Sequence, residues 1–258
     1  MDAGQIVREA DPDRYFATLL APAGARDALF ALYAFDAEIA SLRFKVREGM
    51  AGEIRLRWWA DAIAAPSAER TGNPLADRLR EMIERHDLPR AAFEAYLDAR
   101  IADLYDDAFA TRADLEAYAG QTAGMTMQLA CLVLDREQAH RGADACGHGG
   151  CLAVLDAMLR DGRRLHALVP DEMLAALGVE RSALDAEIPE SVREALQALA
   201  QEHKAAFLDA VHAVPSSLAP AFFHLAPRLA PGSGIGPLRR KWAILKVATR
   251  GWPAPSGR

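Results

Sequence analysis

The segment YAFDAEIASLRF, residues 33–44, lies inside a longer helical pattern over residues 25–48. On a wheel of about 100° per residue, Leu32, Phe35, Ile39, Leu42 and Val46 follow one another at intervals of 3 and 4 and form an apolar stripe. Tyr33, Ala37, Ala40 and Phe44, with Ser41 beside them, form a second stripe on the other side. A helix that is apolar on two sides is buried on both. It is therefore expected at the centre of the fold, with core on one side and a cavity or further helices on the other. Asp36 and Glu38 fall about 200° apart on the same wheel and point to different flanks, so they do not chelate one ion together. They read as ion-paired rim residues, with Arg43 seven positions beyond Asp36 and Lys45 seven beyond Glu38.

Outward from this helix the punctuation stays helical. Asn73 is placed to cap a helix that starts at Pro74 and stops before Pro89. Thr111 and Asp114 have capping-box spacing. Further helices are expected over about 52–65, 89–107, 150–161, 170–177, 189–213, 216–229 and 237–250, with ends uncertain by about 2–4 residues. Strand-like alternation is almost absent. Gly and Pro cluster in RGADACGHGG (141–150) and APGSGIGP (230–237), which read as loops. The expected architecture is a single all-α domain over 1–258, with about nine or ten helices and a core roughly over 13–250.

With 258 residues, 51% of them hydrophobic, the chain can bury a large core without disulfides. Its three cysteines fit a reducing compartment. A net charge of −6 excludes wholesale nucleic-acid binding. No apolar run approaches the roughly 18 residues of a membrane span, and the first residues lack a secretory pattern. A cytoplasmic protein is expected, with peripheral contact to the inner face of a membrane left open.

The ordered series LLAPAGARDALFALYAFDAEIA, IRLRWWADAI, YAGQTAG and LRDGRRLHALVPDEMLAALGV resembles the squalene/phytoene synthase family. The resemblance covers roughly residues 13–250. It implies the isoprenoid-synthase fold, an all-α helical bundle around a central apolar cavity. Active members join two prenyl diphosphates head to head, with Mg²⁺ ions held on two aspartate-rich helices to stabilise the departing diphosphate. Aligned on Tyr33 and Ala34, the three aspartates of the first family motif fall on Ala40, Ser41 and Phe44, and its arginine falls on Ala37. The second motif is shortened, and only Asp161 remains of it, beside Arg160, Arg163 and Arg164. The resemblance thus implies a pseudoenzyme that has lost the Mg²⁺–diphosphate machinery, with no metal and no cofactor. YAFDAEIA followed by IRLRWWADAI resembles a branch whose eukaryotic members are mitochondrial assembly factors for respiratory complex I more than it resembles working synthases. The partners implied are respiratory-complex subunits and an isoprenoid or other apolar lipid. The competing expectation is a Mg²⁺-dependent prenyltransferase using Asp103, Asp107 and Asp161.

The cavity face expected on this basis comprises Tyr33, Ala37, Ala40, Ser41, Phe44, Trp58, Trp59, Gly120, Ala123 and Gly124. Trp58 and Trp59 point about 100° apart, so one can pack in the core while the other lines a cavity or a partner surface. Gly120 and Gly124 lie within a helical pattern, where glycine is unfavourable unless a neighbour or ligand approaches closely. Asp103 and Asp107, four apart, can share a face, but such acids are common on solvated helices. CGHGGC offers Cys146, His148 and Cys151, one ligand short of a structural zinc site, and reads as a glycine-rich turn. Over 237–252, Leu238, Trp242, Leu245, Thr249 and Trp252 form a stripe flanked by five cations. That pattern suits either a terminal helix docked on the bundle or one lying on an anionic membrane surface.

Overall fold

The computed structural model describes residues 2–254 apart from 47, 67, 106–107, 161–165, 186 and 230–235, and among these residues every regular element is helical. The helices are α1 (Ala3–Ala10), α2 (Pro12–Leu19), α3 (Ala23–Ala40), α4 (Leu42–Lys45), α5 (Gly49–Ala64), α6 (Pro74–Arg85) and α7 (Arg90–Ala99). A 3₁₀ turn, Arg100–Leu104, ends α7. Then come α8 (Arg112–Ala119), a π-helical turn (Gly120–Gly124), α9 (Met125–Leu134) and α10 (Ala143–Arg160). The chain finishes with α11 (Asp171–Leu177), α12 (Glu190–Val211), α13 (Ala226–Leu229) and α14 (Pro237–Arg250).

The predicted caps form. Asn73 Oδ1 accepts from the backbone N–H groups of Leu75 and Ala76 at 2.9 and 3.2 Å. Thr111 and Asp114 make the reciprocal capping box. Each satisfies donors that the first helical turn leaves without partners.

The helix α3 is central. Its stripe of Leu32, Phe35 and Ile39 is buried, and the Phe35 ring lies 5.2 Å from Trp59 and 5.8 Å from Phe93. Against it pack α1, α6 and α9. A second apolar cluster joins α8, the C-terminal half of α10, α11 and the first half of α12, where Val192, Leu196 and Leu199 keep the 3–4 spacing of a buried stripe. A third, small cluster fixes α14 to α2 through Ile244, Val247 and Ala17.

The structure departs from expectation at four places. The helix expected over 25–48 ends at Ala40. Ser41 Oγ donates to the Glu38 carbonyl at 2.7 Å, and the chain restarts as the short α4. The helices α1 and α2, eight residues each, were not among those expected. The span 216–229 is two 3₁₀ turns followed by α13, because Pro220 and Pro227 each lack a backbone donor. Finally, the predicted loop at 141–150 is mostly the first half of α10. Its glycines serve close packing instead of turning. A Cβ on Gly150 would stand 2.7 Å from both the Ala119 carbonyl oxygen and the Gly124 nitrogen, whereas a Cβ on Gly147 would meet nothing within 4 Å. Most of the loop expected at 230–237 lies outside the described residues.

These two neighbouring glycines separate packing from propensity. Gly150→Ala is expected to destabilise by about 1–3 kcal/mol, because backbone has to move to admit the methyl group. Gly147→Ala is expected to stabilise by up to about 1 kcal/mol, the difference in helix propensity. Urea unfolding of the two variants reads both, and equal effects would refute the close-approach account.

Candidate functional site

Of the two acids in residues 33–44, Asp36 does not lie on a rim. Asp36 is buried and sits at one end of a cluster drawn from α2, α3, α4, α7, α8, α9 and the Arg100–Leu104 turn. Its Oδ2 accepts from Arg14 Nη1 at 2.5 Å. Its Oδ1 accepts from the Tyr96 hydroxyl at 2.5 Å and from Arg100 Nη2 at 3.1 Å, with the Thr126 hydroxyl 3.4 Å away. At the other end is Asp103, also buried. Its Oδ1 accepts from Arg43 Nη1 at 3.1 Å and from the Tyr118 hydroxyl at 2.6 Å, and its Oδ2 accepts from Arg100 Nη1 at 3.1 Å. Arg100 therefore bridges the two carboxylates. It also donates from Nε to the Tyr96 oxygen at 3.1 Å and from Nη1 to the Tyr118 oxygen at 3.2 Å. Arg14 lies over the Tyr33 ring, 4.8 Å from its centre.

Such a cluster holds together only because every charge meets its opposite. A buried ion costs several kcal/mol in lost hydration, and that cost is recovered only with close geometry and saturated hydrogen bonds. Burial alone would raise the Asp36 carboxyl. Arg14 and Arg100 outweigh burial and hold it below the usual carboxylate value. Burial likewise works against ionised Asp11, but Arg14 and Arg228 bring it down to about 2. Asp11 is the third acid, 3.9 Å from Arg14. His224, 1% exposed, lies near the same end. Burial, with Arg14 and Arg228 beside it, pushes its imidazole well below the ordinary value, and neither ring nitrogen meets a hydrogen-bond partner among the described residues.

The helix break at Ser41 accounts for the pairing. Arg43, expected beside Asp36, reaches Asp103 instead, since α4 no longer continues the register of α3. Glu38 does meet Lys45, at 3.0 Å on the exposed surface. The π turn lies between α8 and α9. On its two sides Tyr118 donates to Asp103 and Thr126 approaches Asp36.

The residues expected on a cavity face are dispersed. Tyr33, Trp59 and Ala123 belong to the main core cluster. Ala37, Ala40, Ser41 and Gly120 are half-buried. Trp58 is exposed with its ring edge-on to Trp59 at 5.2 Å, and Phe44 is exposed under Arg43, 5.6 Å from the guanidinium. A Cβ on Gly124 would stand 3.0 Å from the Cys146 carbonyl oxygen, so its close neighbour is the backbone of α10. Asp107 and Asp161 lie outside the described residues. Cys146 hydrogen-bonds Cys131, which together with burial pushes its thiol up, and burial with Glu116 nearby pushes Cys151 up to about 12. His148 turns to His203, with Nδ1 atoms 3.1 Å apart, and His203 Nε2 is 3.1 Å from Glu116.

Asp103, the acid expected to serve a metal, does not fit one in this arrangement. Mg²⁺ requires oxygen ligands in near-octahedral geometry at about 2.0–2.1 Å. Both oxygens of Asp103 and both of Asp36 already accept from arginine or tyrosine, and the flanking guanidinium groups would repel a second cation. Sequence reasoning missed Arg14, Tyr96, Arg100 and Tyr118. The available signal was Asp36 itself, a carboxylate on a helix apolar on two sides, since a buried charge has to be paired.

Comparisons with known proteins agree with this fold. The chain is 27% identical over 181 residues to human NADH dehydrogenase (ubiquinone) complex I, assembly factor 6, an alignment covering 69% of the chain and 54% of the human protein. The mouse protein of the same name is 27% identical over 229 residues, 84% of the chain and 68% of that protein. The chain thus spans about half the length of the first of these relatives. Among solved structures, a dehydrosqualene synthase crystallised with a ligand superposes with a TM-score of 0.73 at 17% identity, covering 96% of this chain and 94% of that one. The squalene synthase HpnC from Alicyclobacillus acidocaldarius gives 0.64 at 21% identity, covering 98% and 94%. These likenesses establish the all-α isoprenoid-synthase fold. A family model described as squalene/phytoene synthase matches residues 7–239, and by that match the chain belongs to the squalene/phytoene synthase family.

Proposed function

We propose that this chain is a member of the family that no longer condenses prenyl diphosphates and acts instead as an assembly factor for a respiratory complex I. One observation carries the loss of catalysis. The two acids that α3 and the turn after α7 bring into one cluster are each neutralised by two arginines, Asp36 by Arg14 and Arg100, Asp103 by Arg43 and Arg100. A site that binds a Mg²⁺–diphosphate needs carboxylates free to take the metal. Here the cations are covalently part of the chain, and the cluster serves to lock α2, α3, α4, α7, α8 and α9 together. The alanine, serine and phenylalanine at positions 40, 41 and 44 point the same way. The assembly role rests on the likeness to the complex I assembly factor 6 proteins. An isoprenoid or other apolar lipid as a bound ligand remains part of this reading.

Two measurements test it. Incubated with farnesyl or geranylgeranyl diphosphate and Mg²⁺, the protein is expected to release no diphosphate above background. Turnover abolished by Asp103→Ala would overturn the non-catalytic reading. In a pull-down from its own cells, respiratory-complex subunits are expected to be enriched, and a preparation without them would remove the assembly role.

A further inference from the structure

The last helix presents two opposite apolar faces, and only one of them is used by the fold. Ile244 and Val247 are buried against Ala17, Phe223 and Ala226. Arg240 donates to Asp13 with two nitrogens, an ion pair that fastens the same side. On the far side Leu238, Trp242 and Leu245 are 82%, 61% and 43% exposed. They are spaced 4 and 3, so they fall within about 60° of one another on the helix wheel. Of the stripe read from the sequence, Leu238, Trp242 and Leu245 therefore do not dock the helix on the bundle, whereas Trp252, past its end, packs 5.3 Å from the Phe207 ring.

The charge around this stripe is one-sided. The helix carries Arg239, Arg240, Lys241, Lys246 and Arg250 and no acid, although the whole chain has a net charge of −6. Arg239, Lys241, Lys246 and Arg250 are exposed and lie about 60–120° from the centre of the stripe. Lys246 Nζ sits 5.5 Å from the centre of the Trp242 ring. Trp242 also forms one wall of an apolar groove of about 620 Å³, with Trp252 and Val247 among the others and Arg239, Lys246 and Arg250 at its edge. An outward apolar stripe with tryptophan, bordered on both sides by cations, matches the chemistry of an anionic bilayer surface. The apolar side chains enter the headgroup boundary while the cations meet phosphate.

We propose that α14 seats the protein on an anionic phospholipid surface, with Leu238, Trp242 and Leu245 entering the interface and Lys241, Lys246, Arg239 and Arg250 contacting lipid phosphates. No helix among the described residues is long and apolar enough to cross a membrane. The attachment is peripheral and reversible, and it stands independently of the assembly role.

Sedimentation of the full-length chain with vesicles tests the proposal. Binding is expected to phosphatidylcholine vesicles that contain phosphatidylglycerol, and not to phosphatidylcholine alone. It should fall steeply as salt is raised, because the contacts at the rim are screened. Lys241→Gln with Lys246→Gln should weaken binding about 30-fold, from about 1 kcal/mol per cation near the surface. Trp242→Ser with Leu245→Ser should weaken it at least about tenfold. All four side chains are exposed, so far-UV circular dichroism should be unchanged in both variants. Absence of binding to the anionic vesicles at low salt, or binding that neither pair of substitutions weakens, would overturn the proposal. So would equal binding to neutral vesicles. Preference for an acidic protein segment with vesicles ignored would assign the stripe to a protein partner instead.

Discussion

Asp36→Ala is expected to destabilise the protein by about 3–5 kcal/mol, the range for removing one partner of a buried ion pair. The effect arises from what the substitution leaves behind. Arg14 and Arg100 would keep their charge, since a guanidinium loses its proton only far above neutral pH. Without Asp36, Arg14 has only the more distant Asp11, at 3.9 Å, and the Tyr96 hydroxyl loses its acceptor. Glu38→Ala is the matched control two residues along the same helix. It removes an exposed pair with Lys45, which is worth less than about 1 kcal/mol. Thermal unfolding compares them directly. For a chain of this length the expected difference is on the order of 6–20 °C in Tm. If the two variants melt within a few degrees of each other, the cluster is not what locks the helices.

The comparison between sequence and structure turns on the same residues. The first apolar stripe on α3 was legible because burial imposes the 3–4 spacing locally, and Leu32, Phe35 and Ile39 are buried as that spacing requires, whereas of the second stripe Tyr33 is buried, Ala37 and Ala40 are half-buried and Phe44, beyond the break, is exposed. The caps at Asn73 and Thr111 were legible for the same reason, since donor and acceptor lie within a few residues. The role of Asp36 was not, because its partners stand 22, 60 and 64 residues away along the chain. A wheel shows where a charge points and not what reaches it from another helix. The break at Ser41 compounded this by redirecting Arg43 from Asp36 to Asp103. The glycines at 149 and 150 misled for a different reason. Glycine marks either a turn or a place where another backbone comes close, and only the packing of α8 and α9 on α10 distinguishes them.

The cluster bears directly on the proposed loss of catalysis. A family site that holds Mg²⁺ has to keep carboxylates in water or on metal, and it is unstable as a bare cluster of acids. In this chain two buried acids are neutralised internally. Arg14, Arg43 and Arg100 do this with fixed charges that require no ligand, and Tyr96 and Tyr118 each add a hydrogen bond to one carboxylate oxygen.

Arg100→Met should be as damaging as Asp36→Ala, about 3–5 kcal/mol at neutral pH, because one guanidinium serves both carboxylates. Its signature lies in the pH dependence. Burial would raise the Asp36 carboxyl, and Arg14 and Arg100, with the hydrogen bond from Tyr96, hold it below the ordinary 3.8. A carboxyl with a depressed pKa in the folded state contributes stability above its unfolded value of about 3.9, and that contribution is lost as pH falls through the folded value. Methionine removes one of the two opposing cations, so the folded pKa of Asp36 rises. The native variant then takes up a proton at a pH where the native parent does not, and this uptake relieves part of its penalty. The stability gap between parent and variant is therefore expected to narrow between pH 7 and pH 4, read from urea unfolding at each pH. A methionine that merely packs badly would leave a gap of constant size. In that case Arg100 would be a space-filling residue, and the electrostatic account of the cluster would fail.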